Sequence, residues 1–446
     1  MFDVKIAYFP IGRKTFDMET AQIFYEQSVS MLKGSCNELA EPSSIISSTD
    51  ELDAFIANHP IHDADCIIFH MITFADAEFI VKVMEQFSQP VLVWSVREPS
   101  VGGRLRLNSL TGGNSTCNAL KFYDRKFDFM YGNPTEDAIK HKLESMFVAI
   151  QTFNKLNKLV VGVVGDHPPG FFFSGTDERE LHKKIGVRVH QMDLYQIFKK
   201  SMELPEEEWR PMLERADSMV VGLNKSDETS IKFAKFSTYL KQQLLEKGVS
   251  AVAVRCWPDF FQELGAAACS TLSQFIEDGI MSSCESDIHG AITMYIQREL
   301  SGGLPPYLGD LVYLDEDNNS VVFWHCGAGA YSLAHPSTGA RAGVHPNRKL
   351  GFTLEFGLKP GEVTISRLSV TSKGYRMLIF KGEAVDGPQK FSGTSVEVRL
   401  KGNAKDMVHS LMLNGFEPHY SIIYSDITDE LVELCRLLQI ETVVYS

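Results

Sequence analysis

The segment that runs from Cys284 to Cys326 has the sequence CESDIHGAITMYIQRELSGGLPPYLGDLVYLDEDNNSVVFWHC. Its first carboxylate, Glu285, is predicted to open a helical segment. Asp310 comes just after a turn rich in glycine and proline, where an apolar strand is predicted over residues 311–314. Helical and strand patterns therefore meet within this segment, and the character of the chain changes there from alternating helices and strands to mostly strands.

Two carboxylates from this segment and one distant imidazole form a candidate metal-binding set. The imidazole is His419, in the sequence GFEPHY just before a predicted strand over residues 421–424. Oxygen-rich ligation suits a hard cation such as Mn²⁺ or Mg²⁺, whereas thiolates would favour zinc. Each residue also has an ordinary structural explanation. Glu285 could be an acid in the first turn of a helix, Asp310 a turn residue, and His419 a structural or exposed histidine, so residue types alone leave both alternatives open.

The chain beyond Gly303 is predicted to be rich in β-strands joined by turns of glycine, asparagine and proline. The predicted strands cover residues 308–314, 320–324, 351–356, 362–371, 375–385 and 394–400. Polar and apolar residues alternate over 362–368, as in an antiparallel sheet with one solvated face. The chain ends with predicted helices over 404–413 and 429–438 and strands over 421–424 and 442–445. A β-rich C-terminal domain over residues 304–446 is therefore expected, carrying Asp310 and His419.

Short apolar runs alternate with helical patterns over the rest of the chain. The predicted strands cover residues 4–9, 66–71, 90–94, 159–165, 218–222 and 249–255. Such an alternation predicts parallel sheets that are covered by helices on both faces. A boundary near residue 155 divides the region into an N-terminal α/β domain, 1–155, and a second α/β domain, 156–303, that carries Glu285. The predicted fold class is thus α/β, with two Rossmann-like α/β domains followed by the β-rich domain.

Several cations follow predicted strands of the first domain. Residues 99–114 are rich in glycine, serine and asparagine and predict a loop. Loops at the carboxyl ends of parallel strands are the usual place for ligands. A rim that faces the substrate is one interpretation of these cations, and solvated loop side chains are the other. The candidate substrate contacts here are Arg13, Lys14, Arg97, Arg104, Arg106 and Asn108.

The composition excludes several classes of protein. The chain has 446 residues, of which 44% are hydrophobic and 22% charged, and its formal net charge is −14. An acidic chain is a poor partner for nucleic acid or for an anionic membrane, and no apolar run reaches the roughly 18 residues of a membrane span. The first residues lead directly into strand-like sequence without a signal peptide, so a cytoplasmic location is expected. The eight cysteines include no CxxC pair, and reduced thiols are the expected state.

Six short motifs, taken in order, resemble the L-fucose/L-arabinose isomerase family. They are PIGRKTFD at 10–17, WSVREP at 94–99, RCWPD at 255–259, CESD at 284–287, WHCG at 324–327 and PHY at 418–420. The resemblance covers most of the chain at the level of motif order. It implies that Glu285, Asp310 and His419 bind Mn²⁺, or another divalent cation such as Mg²⁺ or Co²⁺, and that the two carboxylates are the acid/base pair. Trp257 and His325 are then expected to contact the substrate; the alternative for His325 is a further metal ligand.

The resemblance implies a metal-dependent aldose–ketose isomerase that acts on a monosaccharide through an enediol. It also implies a homo-oligomer, a hexamer, in which the N-terminal domain of one subunit closes over a neighbour's metal. The chain is shorter than typical L-fucose isomerases and differs in the N-terminal loops. Short relatives include isomerases of an anionic sugar, sulfoquinovose, which becomes sulfofructose, so this substrate is the first alternative. A non-catalytic sugar-binding protein of the periplasmic type is the second, and the added β-rich domain argues against it.

Overall fold

The computed structural model of the protein describes residues 1–445, which divide into two compact units. The first unit contains Met1–Asn154 together with Asp429–Gln439, and the second contains Lys155–Thr428 and the chain from Ile440 onward. The first break lies beside the predicted boundary at residue 155, and the division into three domains stays a prediction. No helix within residues 1–445 has both the length and the apolar composition needed to cross a bilayer.

The first unit is built on a five-stranded parallel sheet in the order β2-β1-β3-β4-β5. Its central strands β3 and β4 are buried throughout, as their apolar sequences CIIFHM and VLVWS require. The elements of this unit are β1 (Phe2–Ile11), α1 (Met18–Ser35), β2 (Cys36–Ala40), α2 (Thr49–Asn58), β3 (Cys66–Met71), α3 (Glu78–Gln86), β4 (Val91–Ser95), α4 (Ser109–Phe122), β5 (Phe127–Tyr131) and α5 (Asp137–Leu156).

The predicted loop over residues 99–114 is wrong in its second half, because α4 begins at Ser109. The glycines that suggested a loop lie inside this helix, at positions where it packs closely against the sheet. A Cβ atom at Gly112 would lie 2.6 Å from the Met71 side chain, and one at Gly113 would overlap the Ser95 hydroxyl. Glycine is therefore used here for close approach of helix and strand, which composition alone does not distinguish from a flexible turn.

The second unit begins with another parallel sheet, in the order β10-β9-β6-β7. Helices surround this sheet, and the buried α11 also contacts three strands of the β-rich region described below. The elements are β6 (Val160–Val164), α6 (Glu178–Ile185), β7 (Arg188–Met192), α7 (Leu194–Met202), α8 (Glu206–Met219), β8 (Val220–Val221), α9 (Glu228–Glu246), β9 (Ala251–Val254), α10 (Cys269–Glu277), β10 (Met281–Cys284) and α11 (Ile288–Leu300).

The prediction that residues 218–222 continue the parallel sheet is wrong. Helix α8 extends to Met219, which leaves only the two residues of β8, and these pair with residues 340–341 instead. Strand β7 forms one edge of the sheet, beside β6. Its polar sequence RVHQM carries no apolar run because an edge strand is only partly buried,.

The remainder of the second unit is a mostly antiparallel sheet in which six strands form a closed ring. The ring follows the order β16-β15-β18-β11-β12-β17, and pairing of β16 with β17 closes it. Its elements and neighbours are β11 (Tyr307–Asp315), β12 (Ser320–His325), β13 (Ala340–Gly343), β14 (Thr353–Gly357), β15 (Gly361–Thr371), β16 (Gly374–Ala384), β17 (Thr394–Leu400), α12 (Ala404–Leu413), β18 (His419–Ile423) and β19 (Glu441–Tyr445). Helix α13 (Thr428–Leu438) precedes β19 in the chain and belongs, from Asp429 onward, to the first unit. The predicted fold class, α/β with parallel sheets followed by a β-rich region, is confirmed.

Helix α11 joins the parallel sheet to this ring through one buried glutamine. Gln297 donates hydrogen bonds to Ser366 Oγ on β15 and to the Ser421 carbonyl on β18, both at 2.9 Å, and accepts one from Ser421 Oγ at 2.7 Å. Both the nitrogen and the oxygen of the Gln297 amide are therefore hydrogen-bonded to β15 or β18. These bonds fix the register of α11 against the ring. The loop before α11 is thereby held beside β11 and β18.

Candidate active site

Asp310 and His419 are directly opposed residues of the neighbouring strands β11 and β18. Side chains at opposed positions of an antiparallel pair project to the same face of the sheet. His419 Nε2 lies 3.6 Å from Asp310 Oδ1, and the histidine side chain is only 1% exposed. Two residues separated by more than one hundred positions in the sequence are thus brought into contact by strand register alone.

Glu285 reaches the same place from the loop between β10 and α11. The prediction that it opens a helix is wrong, because the helix begins at Ile288 and Asp287 is its N-cap. Glu285 and Ser286 both have left-handed backbone conformations, with φ of 57° and 56°. Such conformations cost non-glycine residues about 1 kcal/mol or more each and persist where the surroundings enforce them, often at functional sites. The turn directs Glu285 Oε2 to within 3.3 Å of His419 Nε2.

A buried ion pair fixes the orientation of the imidazole. His419 Nδ1 donates a hydrogen bond of 2.9 Å to Asp287 Oδ2. Arg367 from β15 donates two more to the same carboxylate, at 2.5 and 3.0 Å, and all three side chains are fully buried. Glu417 Oε2 lies 3.6 Å from Arg367 Nε on the far side. This arrangement leaves His419 Nε2 facing the two carboxylates, as expected of a metal ligand whose other nitrogen is held by a carboxylate.

The pKa values of these groups reflect the concentration of negative charge. Burial alone would raise the pKa of Asp287, but the charge of Arg367 and the hydrogen bond from His419 hold it well below its usual range. Burial raises the pKa of Asp310. Burial opposes protonation of His419, yet the carboxylates of Asp287, Glu285 and Asp310 outweigh it and raise its pKa well above its usual value. The space between His419 Nε2 and the carboxylates of Glu285 and Asp310 therefore favours a positive charge.

A divalent cation fits this donor set. Mg²⁺ takes oxygen and nitrogen ligands at about 2.1 Å in octahedral geometry, so adjacent ligand atoms lie about 3 Å apart. The separations of 3.3 and 3.6 Å from His419 Nε2 to the two carboxylates are close to that value. Two carboxylates and one imidazole also leave several coordination positions for water or a sugar oxygen.

Glu285 and Asp310 line a cavity of about 240 Å³ in the second unit. Its volume suits a single sugar ring. The predicted substrate contacts Trp257 and His325 also line it, and the Trp257 indole nitrogen lies 3.3 Å from Glu285 Oε1. The Cys326 amide donates to His325 Nδ1 at 3.0 Å, which leaves Nε2 as the nitrogen available to another partner.

The predicted cationic rim lies in the first unit, at the carboxyl ends of β1 and β4. Its side chains are mostly engaged with acceptors of the same unit. Arg97 donates to Glu136 at 2.7 and 2.9 Å, Arg106 pairs with Asp17, Arg13 with Asp76, Lys14 lies 3.7 Å from Glu51, Arg104 donates to the Thr15 carbonyl at 2.8 Å, and Asn108 Oδ1 accepts from Thr111. Arg104 is the arginine of this group that is bonded to a neutral oxygen rather than to a carboxylate.

The sequence analysis missed several residues that support the three candidate ligands or line the cavity. Asp287 was included only as the last residue of the CESD motif, and Arg367 was not identified at all. A signal for Arg367 was present, because it follows Val363 and Ile365 in the apolar register of β15, where an unpaired cation would be costly,. The thiols of Cys256, Cys269 and Cys326 also line the cavity, together with His345 and Arg348. Cys256 and Cys326 lie within the motifs RCWPD and WHCG, but no spacing among the cysteines and His345 marks them as one group in the sequence.

Comparison with known proteins agrees with the fold and the site. Residues 349–446 match the family described as L-fucose isomerase, C-terminal domain. The whole chain is 56% identical to the sulfoquinovose isomerase of Priestia aryabhattai, with 100% of both chains covered. It is 50% identical to that of Alkalicoccus urumqiensis, over 98% of each chain, and 39% identical to that of Clostridium sp. (strain MSTE9), over 100% of each.

The fold, the cluster of Glu285, Asp310 and His419, and these relatives define an aldose–ketose isomerase of the L-fucose isomerase-like class. The chain belongs to the sulfoquinovose isomerase family. The predicted resemblance and the predicted enzyme class, an intramolecular oxidoreductase that interconverts an aldose and a ketose, are confirmed. The family resemblance also suggests a divalent metal.

Proposed function

We propose that the protein interconverts sulfoquinovose and sulfofructose in the cavity lined by Glu285 and Asp310, and that Glu285, Asp310 and His419 hold a divalent cation, Mn²⁺ by preference. The observation that supports this most directly is the placement of two carboxylates at 3.3 and 3.6 Å from one buried imidazole nitrogen. The names of the full-length relatives support the choice of sugar.

The chemistry requires one proton to move between C1 and C2 and another between O1 and O2. When bound, a divalent cation would stabilise the negative charge that develops on the sugar oxygens. Glu285 comes from a loop beside the parallel sheet and Asp310 from a strand of the closed ring, so the two carboxylates belong to separate elements that line one cavity. We assign them the removal and return of the protons. Asp287 and Arg367 act indirectly, because they hold the His419 ring in place.

A cation without a carboxylate partner is a favourable contact for a sulfonate, because its charge is not already neutralised. Arg348 is the one arginine or lysine among the cavity-lining residues in the described chain. Its guanidinium carbon lies 5.9 Å from the ring centroids of both Trp257 and Phe261. Within residues 1–445 it has no carboxylate at ion-pair distance, in contrast to Arg97 and Arg106. We therefore propose Arg348 as the principal sulfonate contact.

The rim of the first unit stays a proposed second set of contacts, with Arg104 the least engaged of its arginines. The family resemblance supports a hexamer in which this rim closes over the cavity of a neighbouring subunit, and it also supports a cytoplasmic location. Light scattering on the active protein is expected to give the mass of six chains. An active monomer would contradict the assembly and, with it, the role of the rim.

A substrate panel tests the proposed function. The protein would be stripped with EDTA, dialysed, and assayed with Mn²⁺, Mg²⁺ or Co²⁺ on sulfoquinovose, D-glucose, L-fucose, L-arabinose, D-galactose and D-xylose. Turnover of sulfoquinovose with a kcat/KM well above that of every neutral sugar is expected, and only when a divalent ion is restored. D-Glucose is the matched control, since it carries a hydroxyl at C6 in the place of the sulfonate and is otherwise the same sugar. A neutral sugar with the highest kcat/KM would overturn the substrate assignment.

A further inference from the structure

A second group of potential metal ligands lines the same cavity but is built from different atoms. It consists of Cys269 at the start of α10, Cys326 directly after β12, and His345 in the loop between β13 and β14; we call it the thiol site. The ligand atoms of the three side chains all lie within 4.8 Å of one another, and the two sulfur atoms are 3.4 Å apart. All three residues line the cavity together with Glu285 and Asp310.

The arrangement is more than a chance grouping of core cysteines. Cys269 is buried and Cys326 half-buried, and both are free thiols. They are contributed by separate elements and meet a histidine that is itself only half-buried in a surface loop. A histidine brought by a third element to two adjacent thiols at the wall of a cavity supplies the third ligand that a pair of structural cysteines lacks.

The chemistry of these ligands selects a different class of cation from the carboxylate set. Two thiolates and one imidazole are soft donors, preferred by Zn²⁺ and similar ions, whereas Mg²⁺ and Mn²⁺ prefer oxygen. Zinc binds sulfur at about 2.3 Å and nitrogen at about 2.0 Å, so the ligands of a tetrahedral site lie roughly 3.5–3.8 Å apart. The sulfur atoms are already near that separation. Three protein ligands with one position left open is also the pattern of accessible zinc sites rather than of closed structural ones.

We propose that Cys269, Cys326 and His345 form a distinct binding site for a thiophilic divalent cation such as Zn²⁺, with its open coordination position directed into the sugar cavity. A cation held there occupies space in the cavity of about 240 Å³ that the sugar needs. Zinc is therefore expected to inhibit the isomerase by binding at the thiol site, separately from any exchange at Glu285, Asp310 and His419. This inference concerns the thiols alone and does not depend on which sugar is the substrate.

Cobalt(II) is a suitable probe because sulfur ligation produces an intense near-ultraviolet charge-transfer band, which oxygen and nitrogen ligation does not. Titration of the EDTA-stripped full-length protein with Co²⁺ is expected to show this band with a final amplitude that corresponds to one sulfur-ligated Co²⁺ per chain, and Zn²⁺ is expected to abolish it. The Glu285→Gln variant should keep the band, because its change is confined to the carboxylate set. Cys117→Ser, which removes a half-buried thiol of the first unit, is the matched control and should also keep it.

Variants of the thiol site complete the test. Cys326→Ser should remove the band. His345→Asn alters a loop residue and leaves both thiols in place, and it should weaken Zn²⁺ binding by at least about tenfold. Tenfold is the smallest effect usually produced by loss of a residue that only supports a metal ligand. The ratio of activities with and without Zn²⁺, at saturating Mn²⁺, should rise toward one in both variants. Absence of the band in the wild-type protein would overturn the proposal, as would an undiminished band or unchanged zinc inhibition in both variants.

Discussion

Asp287 accepts a hydrogen bond of 2.9 Å from His419 Nδ1, although the two residues are 132 positions apart in the sequence. The same carboxylate caps helix α11 by accepting the Gly290 amide hydrogen at 2.9 Å, and it is paired with the buried Arg367. One aspartate therefore joins the start of a helix, a strand of the closed ring and the imidazole beside Glu285. The histidine cannot rotate without breaking an ion pair in a region that water does not reach,.

The substitution Asp287→Asn is expected to disturb both the metal site and the fold. It preserves the shape of the side chain but removes the closest charged partner of the buried Arg367, and breaking a buried ion pair destabilises proteins by about 3–5 kcal/mol. Metal affinity should fall by about 10- to 100-fold, as on removal of other residues that orient a metal ligand. Calorimetric titration with Mn²⁺ and urea denaturation would measure the two effects.

Asp177→Asn provides the control, because Asp177 caps helix α6 in the same way but touches neither His419 nor an arginine of the core. Its effect on stability should be below about 1 kcal/mol, with unchanged Mn²⁺ affinity. Equal metal affinities for the wild-type and Asp287→Asn proteins would show that the aspartate has no part in positioning the histidine.

Arg348→Ala is expected to separate the anionic substrate from neutral ones. Loss of one charge-assisted hydrogen bond is worth about 1.5–3 kcal/mol, so KM for sulfoquinovose should rise by roughly tenfold to a hundredfold. The KM of any neutral sugar that is turned over should change little. Steady-state kinetics on both substrates would measure the difference.

The arginines of the first unit give the comparison for Arg348. If the rim also reaches the sulfonate, then Arg97→Ala, Arg104→Ala and Arg106→Ala should each raise KM for the anionic sugar selectively. Arg104 should have the largest effect, because it has no carboxylate partner to compete with the substrate. A large selective effect in these variants with none in Arg348→Ala would move the sulfonate site from the cavity wall to the rim.

Glu433 is expected to make the stability of the protein depend on pH. It is buried in the first unit against Asp128, and burial together with that charge raises its pKa from 4.5 to about 7, although Lys142 and Arg436 oppose the shift. An acid with a raised pKa in the folded state favours folding while it is protonated. Its contribution is therefore full below about pH 4.5 and is lost as the pH rises through 7,.

The variant Glu433→Gln should remove this dependence. It should resemble the wild-type protein in free energy of unfolding near pH 5 and exceed it by up to about 3 kcal/mol near pH 8, from the size of the shift. Urea denaturation at the two pH values is the measurement. A variant that is less stable than wild type at pH 8 would show that the ion pairs with Lys142 and Arg436 outweigh the desolvation of the carboxylate.

The alternation of helices and strands and the change to a β-rich region could be predicted from the sequence, because both depend on local periodicity. The motifs around Glu285, Asp310 and His419 were also visible in order, and the structure brings these three residues together. The contacts that hold these three residues together could not be predicted from the sequence. The contacts of Asp287 with His419 and Arg367 arise from strand register and from packing between distant segments. The left-handed turn at Glu285 is likewise held by backbone hydrogen bonds, from the Ser286 amide to the Val254 carbonyl and from the Asp287 amide to the Cys284 carbonyl. The sequence pattern around Glu285 does not indicate this conformation.

The isomerisation is expected to proceed through an enediol and to exchange hydrogen with solvent. Carboxylates from separate elements lie in one cavity, so each can remove a proton from carbon and hold it where exchange with water occurs,. A hydride shift needs no carbon base and keeps the migrating hydrogen away from water. Turnover in D₂O should therefore place deuterium on C1 of the ketose, and on C2 of the aldose recovered at equilibrium. Incorporation can be partial where proton return is faster than exchange.

Glu285→Gln supplies the control for this experiment. The amide cannot accept the proton, and loss of general acid–base catalysis lowers rates by roughly 10²- to 10⁴-fold. Deuterium incorporation and turnover should therefore fall together, while the circular dichroism spectrum stays that of the folded protein. Glu228→Gln, at an exposed carboxylate near the start of α9, should retain both. Mass spectrometry of the recovered sugars would measure the label. Product without solvent deuterium over many turnovers, in the wild-type protein, would argue for hydride transfer and against Glu285 and Asp310 as the acid/base pair, because a carboxylate that held the proton in a cavity open to water would release some of it.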